Sequence, residues 1–474
     1  MGFDAEHRAV VDGSTTSANA LALLRRGFGE LALVLTAPVL LLVVRYFSWG
    51  AAVARLATFC VLFGFVAFAT RRAGYLHSYF EARRPRLVLW AAVALLFALH
   101  VRSFAHDIAR GGECLTDMGR PSICAGEWLR HGRNPWADCV TRAQREPGAS
   151  TWNWCIDGNS CIDWKGGHAF PNWTHHGSGF DFMDGYKYGP ITALLYAPFA
   201  HALRERGLYV VNFACWLLQC AALVWLARRA YPGQHSAPAR ALLILLLPLV
   251  IPSAAFLPRY TFYAFDGKHE LSAPELNTFV LELTQRCSND IIPVVLALAA
   301  LILAAQQRWR GSGIALGLSL AAKQLPGLLL CTVLPALRDA RQRAFWLATL
   351  ATTALAYLPF LVWSPRELIA NLLLFSVMRP TNSSSVRAHV PASLEPAISL
   401  VQLGICGWLA FRQWRSPARD LSSLLRTAAL MCIAFVALNK VVHGNYLLWL
   451  QPLLALTLAG RPYAATDLEA RAVS

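Results

Sequence analysis

The sequence predicts an all-α polytopic membrane protein, a bundle of about 11–12 transmembrane helices with one large extracytoplasmic loop. The first observation is the composition, since 56% of the 474 residues are hydrophobic and only 15% are charged. A soluble protein carries about 25% charged residues, so most of this chain is expected to face lipid. The second observation is a set of apolar runs that reach spanning length with their flanks: 31–44, 87–99, 241–251 and 291–305.

The third observation is the placement of basic residues, which sets the orientation. Arg25 and Arg26 precede the first predicted span, and further arginines lie at 71–86, before the third. Because Lys and Arg cluster in cytoplasmic loops, we expect the N-terminus inside and the span at about 86–104 to run outward. The net charge of +16 then reflects topology and attraction to anionic lipid rather than nucleic-acid binding.

These signals divide the chain into three parts. Residues 1–85 are expected to hold a polar N-terminal tail, unlike a cleaved signal peptide, and two extra transmembrane helices. The membrane domain follows at 86–460, with the extracytoplasmic loop at 105–187. Residues 461–474 would form a C-terminal tail.

Cysteines are concentrated in the predicted outer loop. An oxidising compartment permits disulfides, and the absence of a Cys-x-x-Cys motif disfavours a redox role. We expect at least two bridges that brace the loop, with Cys287 included if its own loop also lies outside. The cysteines concerned are Cys114, Cys124, Cys139, Cys155, Cys161 and Cys287.

The middle of the chain allows two topologies. In one, 189–200 is a short interfacial helix and 313–337 is a re-entrant hairpin; in the other, both are full spans. Pro326 close to Lys323 is typical of a broken helix, and irregular backbone at membrane depth is tolerated only where it lines protein or a wet cavity. We therefore favour the hairpin, which also places Cys287 outside.

Ionisable residues at membrane depth are functional candidates by default. Lys323 is the clearest, although a lysine can also snorkel to an interface. Lys440 and His443 lie near the outer end of a predicted span, beside Tyr446. Lys440 alone could be an interfacial anchor, whereas the combination is more typical of a lined site.

Four sequence segments follow one another in an order and spacing that are fairly specific. Asp117 is followed by Gly-Arg-Asn-Pro-Trp at 132–136. Next come YKYGPITALLYAPFA at 186–200, an Asn/Asp-led span with a later Lys-x-x-Pro within 288–330, and NKVVHGNYLLWLQPLLAL at 439–456. These segments resemble the GT-C membrane glycosyltransferases, most closely the polyprenyl-phosphate-sugar-dependent glycosyltransferase 87, or DUF2029, family.

The resemblance implies a GT-C-like fold and a hexosyl- or pentosyltransferase. Its donor would be a polyprenyl-phosphate-linked sugar, and its acceptor an extracytoplasmic glycolipid or cell-envelope glycan. One direct displacement would invert the anomeric centre. No cofactor or metal is expected, since a single-phosphate leaving group does not require one. The implied location is the bacterial inner membrane, with the active site on its outer face.

The resemblance also gives roles to individual residues. Asp117 would be the catalytic base that takes the proton of the acceptor hydroxyl. Asp107 is a rival for this role, because the aromatic residue that usually follows the family's aspartate is missing here. The family's Gly-Gln-x-Asn is also absent, and Gln285 and Asn289 stand further apart.

Cations would stabilise the negative charge that the phosphate gains as the glycosidic bond breaks. Lys440 and His443 are the first candidates and Lys323 is the next, while Arg379 and Arg387 could assist. The predicted substrate-binding residues are Lys323, Lys440, His443, Tyr446, Arg379, Asn382 and Tyr188.

Two other functions remain open. A multi-span transporter or lipid flippase would also need buried charges, but transporters commonly show internal repeats, and we find none in this sequence. A non-catalytic assembly factor would leave Lys323 and the Lys440–His443 pair unexplained. His175 and His176 match no specific metal-ligand spacing.

Overall fold

The computed structural model describes residues 83–110, 119–136, 186–204, 206–256, 288–324, 340–374, 385–415, 420–440 and 446–460, and the single positions Cys60, Val61, Phe63, Gly64, Val66, Glu81 and Gly327. All regular structure in these residues is helical, which confirms the predicted class: the protein is an all-α polytopic membrane protein. Four of the described helices are long and apolar enough to span a membrane: Arg83–Ala109, Arg206–Ala230, Arg343–Trp363 and Ala392–Arg415.

The described helices are numbered here along the chain. They are α1 (Arg83–Arg110), α2 (Gly119–Arg130), α3 (Pro190–Leu203), α4 (Arg206–Ala230), α5 (Ala237–Phe256), α6 (Ile291–Ala305), α7 (Trp309–Ala322), α8 (Ala340–Trp363), α9 (Pro365–Ile369), α10 (Glu395–Arg415), α11 (Leu421–Ala437) and α12 (Leu447–Leu458). A π-helical turn, Ala370–Leu374, follows α9.

Three of the predicted apolar runs fall in helices. The runs at 87–99, 241–251 and 291–305 lie in α1, α5 and α6, and the run at 31–44 lies outside the described residues. In α6, Pro293 occupies the first turn, where its missing N–H would have no partner within the helix. The uninterrupted apolar sequence after it suits a helix that is buried on several sides.

Helices α6 and α7 form an antiparallel pair. The Ser319 hydroxyl donates to the Pro293 carbonyl at 2.7 Å, and the Ser312 hydroxyl donates to the Ala300 carbonyl at 2.8 Å. Helix α7 ends where Lys323 adopts an extended backbone conformation, with φ −158° and ψ 133°. The start of α6 and the end of α7 are therefore neighbours.

Helices α7 and α8 run parallel to each other. A Cβ on Gly317 would lie 2.7 Å from the Thr349 carbonyl oxygen, so glycine permits this close approach. Further along both helices, the Tyr357 hydroxyl donates to the Leu320 carbonyl at 3.3 Å. Both helices thus begin at the same end of the bundle, as the hairpin topology predicts; most of the segment between Lys323 and Ala340 lies outside the described residues.

Helix α3 is short, and its 14 residues span about 21 Å. It turns back on α4, because Tyr196 donates its hydroxyl proton to Asn212 Oδ1 at 2.6 Å. Its first residues bond to the end of α7: the Gly189 N–H and the Thr192 hydroxyl both donate to the Ala322 carbonyl, at 3.0 and 2.9 Å. This arrangement favours the interfacial helix predicted at 189–200.

Buried side chains form one large core and a smaller one. The large core joins α1, α4, α5, α6, α11 and α12. The smaller core packs Trp136 and Tyr186 against Phe360 and Leu368, from the last turn of α8 and from α9. This second core closes over the end of the bundle at which α6 begins and α7 ends.

Candidate functional site

A buried ion pair lies where α6 begins and α7 ends. Lys323 Nζ is 2.5 Å from Asp290 Oδ1, and the Asp290 side chain is fully enclosed whereas that of Lys323 is 13% exposed. The extended backbone at Lys323 ends α7 and lets its side chain reach Asp290. An isolated buried charge would be strongly destabilising, so each group makes the burial of the other tolerable.

Aromatic rings surround the Lys323 ammonium. Nζ lies 5.1 Å from the centre of the Tyr188 ring and 5.4 Å from that of the Trp449 ring, within the range of cation–π attraction. The Trp449 indole N–H donates to Asp290 Oδ1 at 2.9 Å, and Tyr446 stacks on Trp449 with ring centres 4.5 Å apart. Helix α12 thus delivers two aromatic residues to the ion pair.

Lys323 has donor capacity left over. A lysine ammonium carries three N–H donors. Within the described part of the chain, Asp290 is its only hydrogen-bond acceptor, and the Tyr188 and Trp449 rings are its other contacts. With respect to the described residues, two N–H groups on a largely buried cation therefore remain for an oxygen-bearing anion.

The end of the outer loop packs against this site. The Tyr186 N–H donates to the Pro135 carbonyl at 3.1 Å, and the Trp136 indole N–H donates to the Tyr188 carbonyl at 3.2 Å. Lys187 points to a different neighbour, Asn371 Oδ1 in the π-helical turn, at 2.6 Å. The Pro-Trp turn at 135–136 therefore holds the segment that carries Tyr188.

Polar bonds also tie α2 to the site. Asn289 donates from Nδ2 to the Ser122 hydroxyl at 2.8 Å, and the Tyr186 hydroxyl donates to the same oxygen at 3.3 Å. All three side chains are fully or almost fully buried. The first turns of α2 are thus fixed beside the residue that precedes Asp290.

The structure brings together three of the predicted substrate-binding residues. Lys323, Tyr188 and Tyr446 gather around Asp290, although they are up to 258 positions apart in the sequence. Lys440 is half-buried just beyond the end of α11. The remaining predicted site residues lie outside the described residues, and their roles stay predictions: Asp117, His443, Arg379 and Asn382.

Arg387 has a structural task. Its guanidinium donates to the Leu438 carbonyl at 2.8 Å, to the Ser399 hydroxyl at 2.6 Å and to Gln402 Oε1 at 2.7 Å. Burial lowers the pKa of Arg387, and Glu395 opposes that shift. Three of its five donors are committed to protein oxygens. Arg387 therefore fixes the backbone just before Lys440, a role that the predicted help with phosphate did not anticipate.

Two other predictions concern Asp107 and the cysteines. Asp107 is buried near the end of α1, with His106 Nδ1 3.6 Å from its Oδ1. Cys124 is buried in α2 and is not among the free thiols. The other five cysteines of the expected set lie outside the described residues. A disulfide-braced loop therefore stays a prediction.

Asp290 and Trp449 belong to the site although neither is among the residues predicted from the sequence. The sequence does contain a signal for Asp290, since an acidic residue directly before the apolar run at 291–305 is expected to lie at the membrane. A charge at that depth requires a partner, and Lys323 was already a candidate. Trp449 lies in the segment at 439–456, and its indole N–H contacts Asp290.

Comparisons with known proteins add the following. No protein-family profile matches the chain, and no curated protein sequence matches it. Among solved structures it is similar to the crystal structure of ArnT from Cupriavidus metallidurans bound to undecaprenyl phosphate, with 14% sequence identity and a TM-score of 0.45. The match covers 78% of this chain and 59% of ArnT, so the chain spans less than two thirds of that protein's length.

Proposed function

We propose that the protein is a membrane glycosyltransferase that moves a sugar from a polyprenyl-phosphate donor to an extracytoplasmic glycolipid or cell-envelope glycan. One observation carries the proposal. The four segments that resemble glycosyltransferase 87 contribute residues to one place, represented by Trp136, Tyr188, Asp290 with Lys323, and Trp449. At the centre of this group lies the largely buried Lys323 ammonium, which has a single hydrogen-bond acceptor among the described residues.

The placement of this site supports an outer-face reaction. The turn at the opposite end of α6 and α7 carries Arg308 and Arg310, and Arg341 at the start of α8 donates to Gln307 in the same turn at 3.2 Å. Short basic turns face the cytoplasm. Together with the hairpin topology that we favour, this would put Asp290 and Lys323 towards the outer face, where a lipid phosphate head group would be reached.

Lys323 would bind the donor phosphate. In a site largely closed to water, a fixed cation interacts strongly with charge that develops on the leaving oxygen. Asp290 neutralises Lys323, however, so the pair by itself has no net charge to offer an anion. A second cation is therefore needed, and Lys440, His443 and Arg379 are the proposed sources.

Asp117 would be the general base. In the sequence it precedes α2 by two residues, and Ser122 in the first turns of α2 bonds to Asn289 beside Asp290. A carboxylate in that region would face an acceptor hydroxyl from the aqueous side. The reaction would be a single inverting displacement at the anomeric carbon, with the lipid phosphate leaving and the proton passing to Asp117.

The test uses the full-length protein in lipid nanodiscs. Undecaprenyl-phosphate-linked pentoses and hexoses, radiolabelled in the sugar, are supplied with a cell-envelope glycolipid extract as acceptor. We expect sugar transfer together with release of undecaprenyl phosphate, and Asp117→Asn should reduce the rate about 100-fold or more because positioned proton transfer is lost. Asp107→Asn is the matched comparison and should retain activity.

Three outcomes would change the account. Loss of activity in Asp107→Asn but not in Asp117→Asn would move the base to Asp107. Absence of transfer and of undecaprenyl phosphate release with every donor would contradict the proposed reaction. Movement of intact donor across a bilayer, without cleavage of the glycosidic bond, would indicate the flippase alternative.

A further inference from the structure

Three donors bond to the Asp290 carboxylate. Its Oδ1 accepts from Lys323 Nζ and from the Trp449 indole, and its Oδ2 accepts from the Ser288 hydroxyl at 2.6 Å. The Asp290 N–H in turn donates to the Ser288 oxygen at 3.1 Å. The residue is 0% exposed. A general base must lie within hydrogen-bond reach of the acceptor hydroxyl, and burial closes Asp290 to it, so we do not assign Asp290 as the base.

The support for Asp290 extends through two more helices. Asn212 in α4 donates from Nδ2 to the Ser288 carbonyl at 2.9 Å, and Tyr196 in α3 donates to Asn212 Oδ1. These bonds fix the backbone of Ser288, whose hydroxyl fixes Asp290. The carboxylate position is thus determined by residues of α3, α4 and α12 as well as by its own helix.

Among the described residues, few contacts constrain Lys323 itself. A lysine side chain has four methylene groups and freely rotating bonds, and the ammonium of a buried lysine can move towards water if nothing holds it. The rings of Tyr188 and Trp449 limit the space around the Lys323 ammonium, but they do not determine the direction in which its N–H groups point. Asp290 is the one described oxygen that defines where Nζ lies.

We infer that Asp290 is a positioning residue: it holds the Lys323 ammonium so that its two remaining N–H donors face the phosphate of the lipid-linked sugar. The inference rests on the proposed function and explains how Lys323 is held in place within the proposed site. Asp290 would contact neither substrate. Its effect passes through Lys323, and a misplacement of about 1 Å in a catalytic group can lower a rate about 100-fold.

The test compares Asp290→Asn with Asp420→Asn in the transfer assay. Asp420 is a suitable control because it also begins a helix, α11, and also accepts from serine hydroxyls, those of Ser422 and Ser423. For Asp290→Asn we expect kcat per folded molecule to fall about 10- to 100-fold while KM for the donor changes less than about 3-fold. Asp420→Asn should match the wild type in both constants.

Two further variants guard against misfolding. If Asp290→Asn yields no folded protein, Ser288→Ala keeps the charge and removes the two bonds that the serine hydroxyl makes with Asp290, to Oδ2 and from the N–H. It should lower kcat about 10-fold. The exchange of Asp290→Lys with Lys323→Asp restores opposite charges but places a carboxylate where the phosphate binds. It should fold and stay at least about 100-fold less active than the wild type.

The inference fails if the folded Asp290→Asn protein, or Ser288→Ala in its place, has wild-type kcat. It also fails if the exchanged pair is as active as the wild type, because the pair would then serve folding alone. These results differ from failure of the proposed function, in which the wild type itself releases no undecaprenyl phosphate from any sugar donor.

Discussion

Arg240 and Lys323 are buried cations at opposite ends of α12. At one end, Arg240 Nε donates to the Ala459 carbonyl at 2.5 Å, Nη2 donates to Gln234 at 3.3 Å, and Nη2 lies 3.6 Å from the Glu81 carboxylate. At the other end, Trp449 and Lys323 share Oδ1 of Asp290.

The difference between the two cations is in how completely protein encloses them. Arg240 is 0% exposed and bonds a backbone carbonyl, whereas Lys323 is 13% exposed and has a single protein acceptor in the described part of the chain. A buried cation that is enclosed by acceptors joins helices, whereas a partly exposed cation with unused donors can bind an anion. Burial of a charge alone therefore does not identify a functional site.

The largest expected effect is on stability, at the Arg240 end. Arg240→Ala leaves the Ala459 carbonyl and Glu81 without this partner, and breaking such a buried pair costs about 3 kcal/mol, the lower end of the usual range because Glu81 is partly exposed. Chemical unfolding in detergent measures the change. Transfer activity per folded molecule should be unchanged, and a loss of activity in folded protein would break the distinction.

The next effect is on turnover, at the Lys323 end. Lys323→Ala should lower kcat/KM for the lipid-linked donor about 100-fold, since the cation proposed to stabilise the leaving group is lost. Arg310→Ala is the control, because Arg310 is an exposed cation at the opposite end of the same helix. Equal losses in both variants would show that Lys323 has no special role in the reaction.

The smallest effect should come from the aromatic surroundings. Tyr188→Leu keeps an apolar side chain but removes the ring face 5.1 Å from Lys323 Nζ. Loss of one cation–π contact is worth about 1 kcal/mol, so we expect about a 5-fold lower kcat/KM for the donor. Phe411→Leu is a matched control on α10, where the ring lies 5.5 Å from Arg415. An unchanged rate in Tyr188→Leu would remove Tyr188 from the site.

The sequence was sufficient for the helical class and for part of the site. Lys323 could be selected because a charge in an apolar segment is costly, and Tyr188 and Tyr446 because they belong to segments of the resemblance. Asp290 was missed because its partner is 33 positions away and is brought close only by the antiparallel packing of α6 and α7. Packing of this kind depends on side chains throughout both helices.

The burial of Arg240 could not be predicted from the sequence either. In the sequence it lies next to an apolar run and counts as one more basic residue for topology. The Ala459 carbonyl that it contacts is 219 positions away, and its enclosure depends on the placement of α12. Charge patterns predict which side of the membrane a loop occupies, but they do not predict which of the charges become buried.

The most direct test of the Lys323 site is the affinity for undecaprenyl phosphate, measured with the wild type, Lys323→Ala and Arg240→Ala in nanodiscs by competition with a fluorescent polyprenyl phosphate. We expect Lys323→Ala to bind at least about 10-fold more weakly, because a charge-assisted contact to phosphate is lost. Arg240→Ala that remains folded should bind like the wild type. Wild-type affinity in Lys323→Ala would contradict the assignment of Lys323 as the phosphate-binding cation.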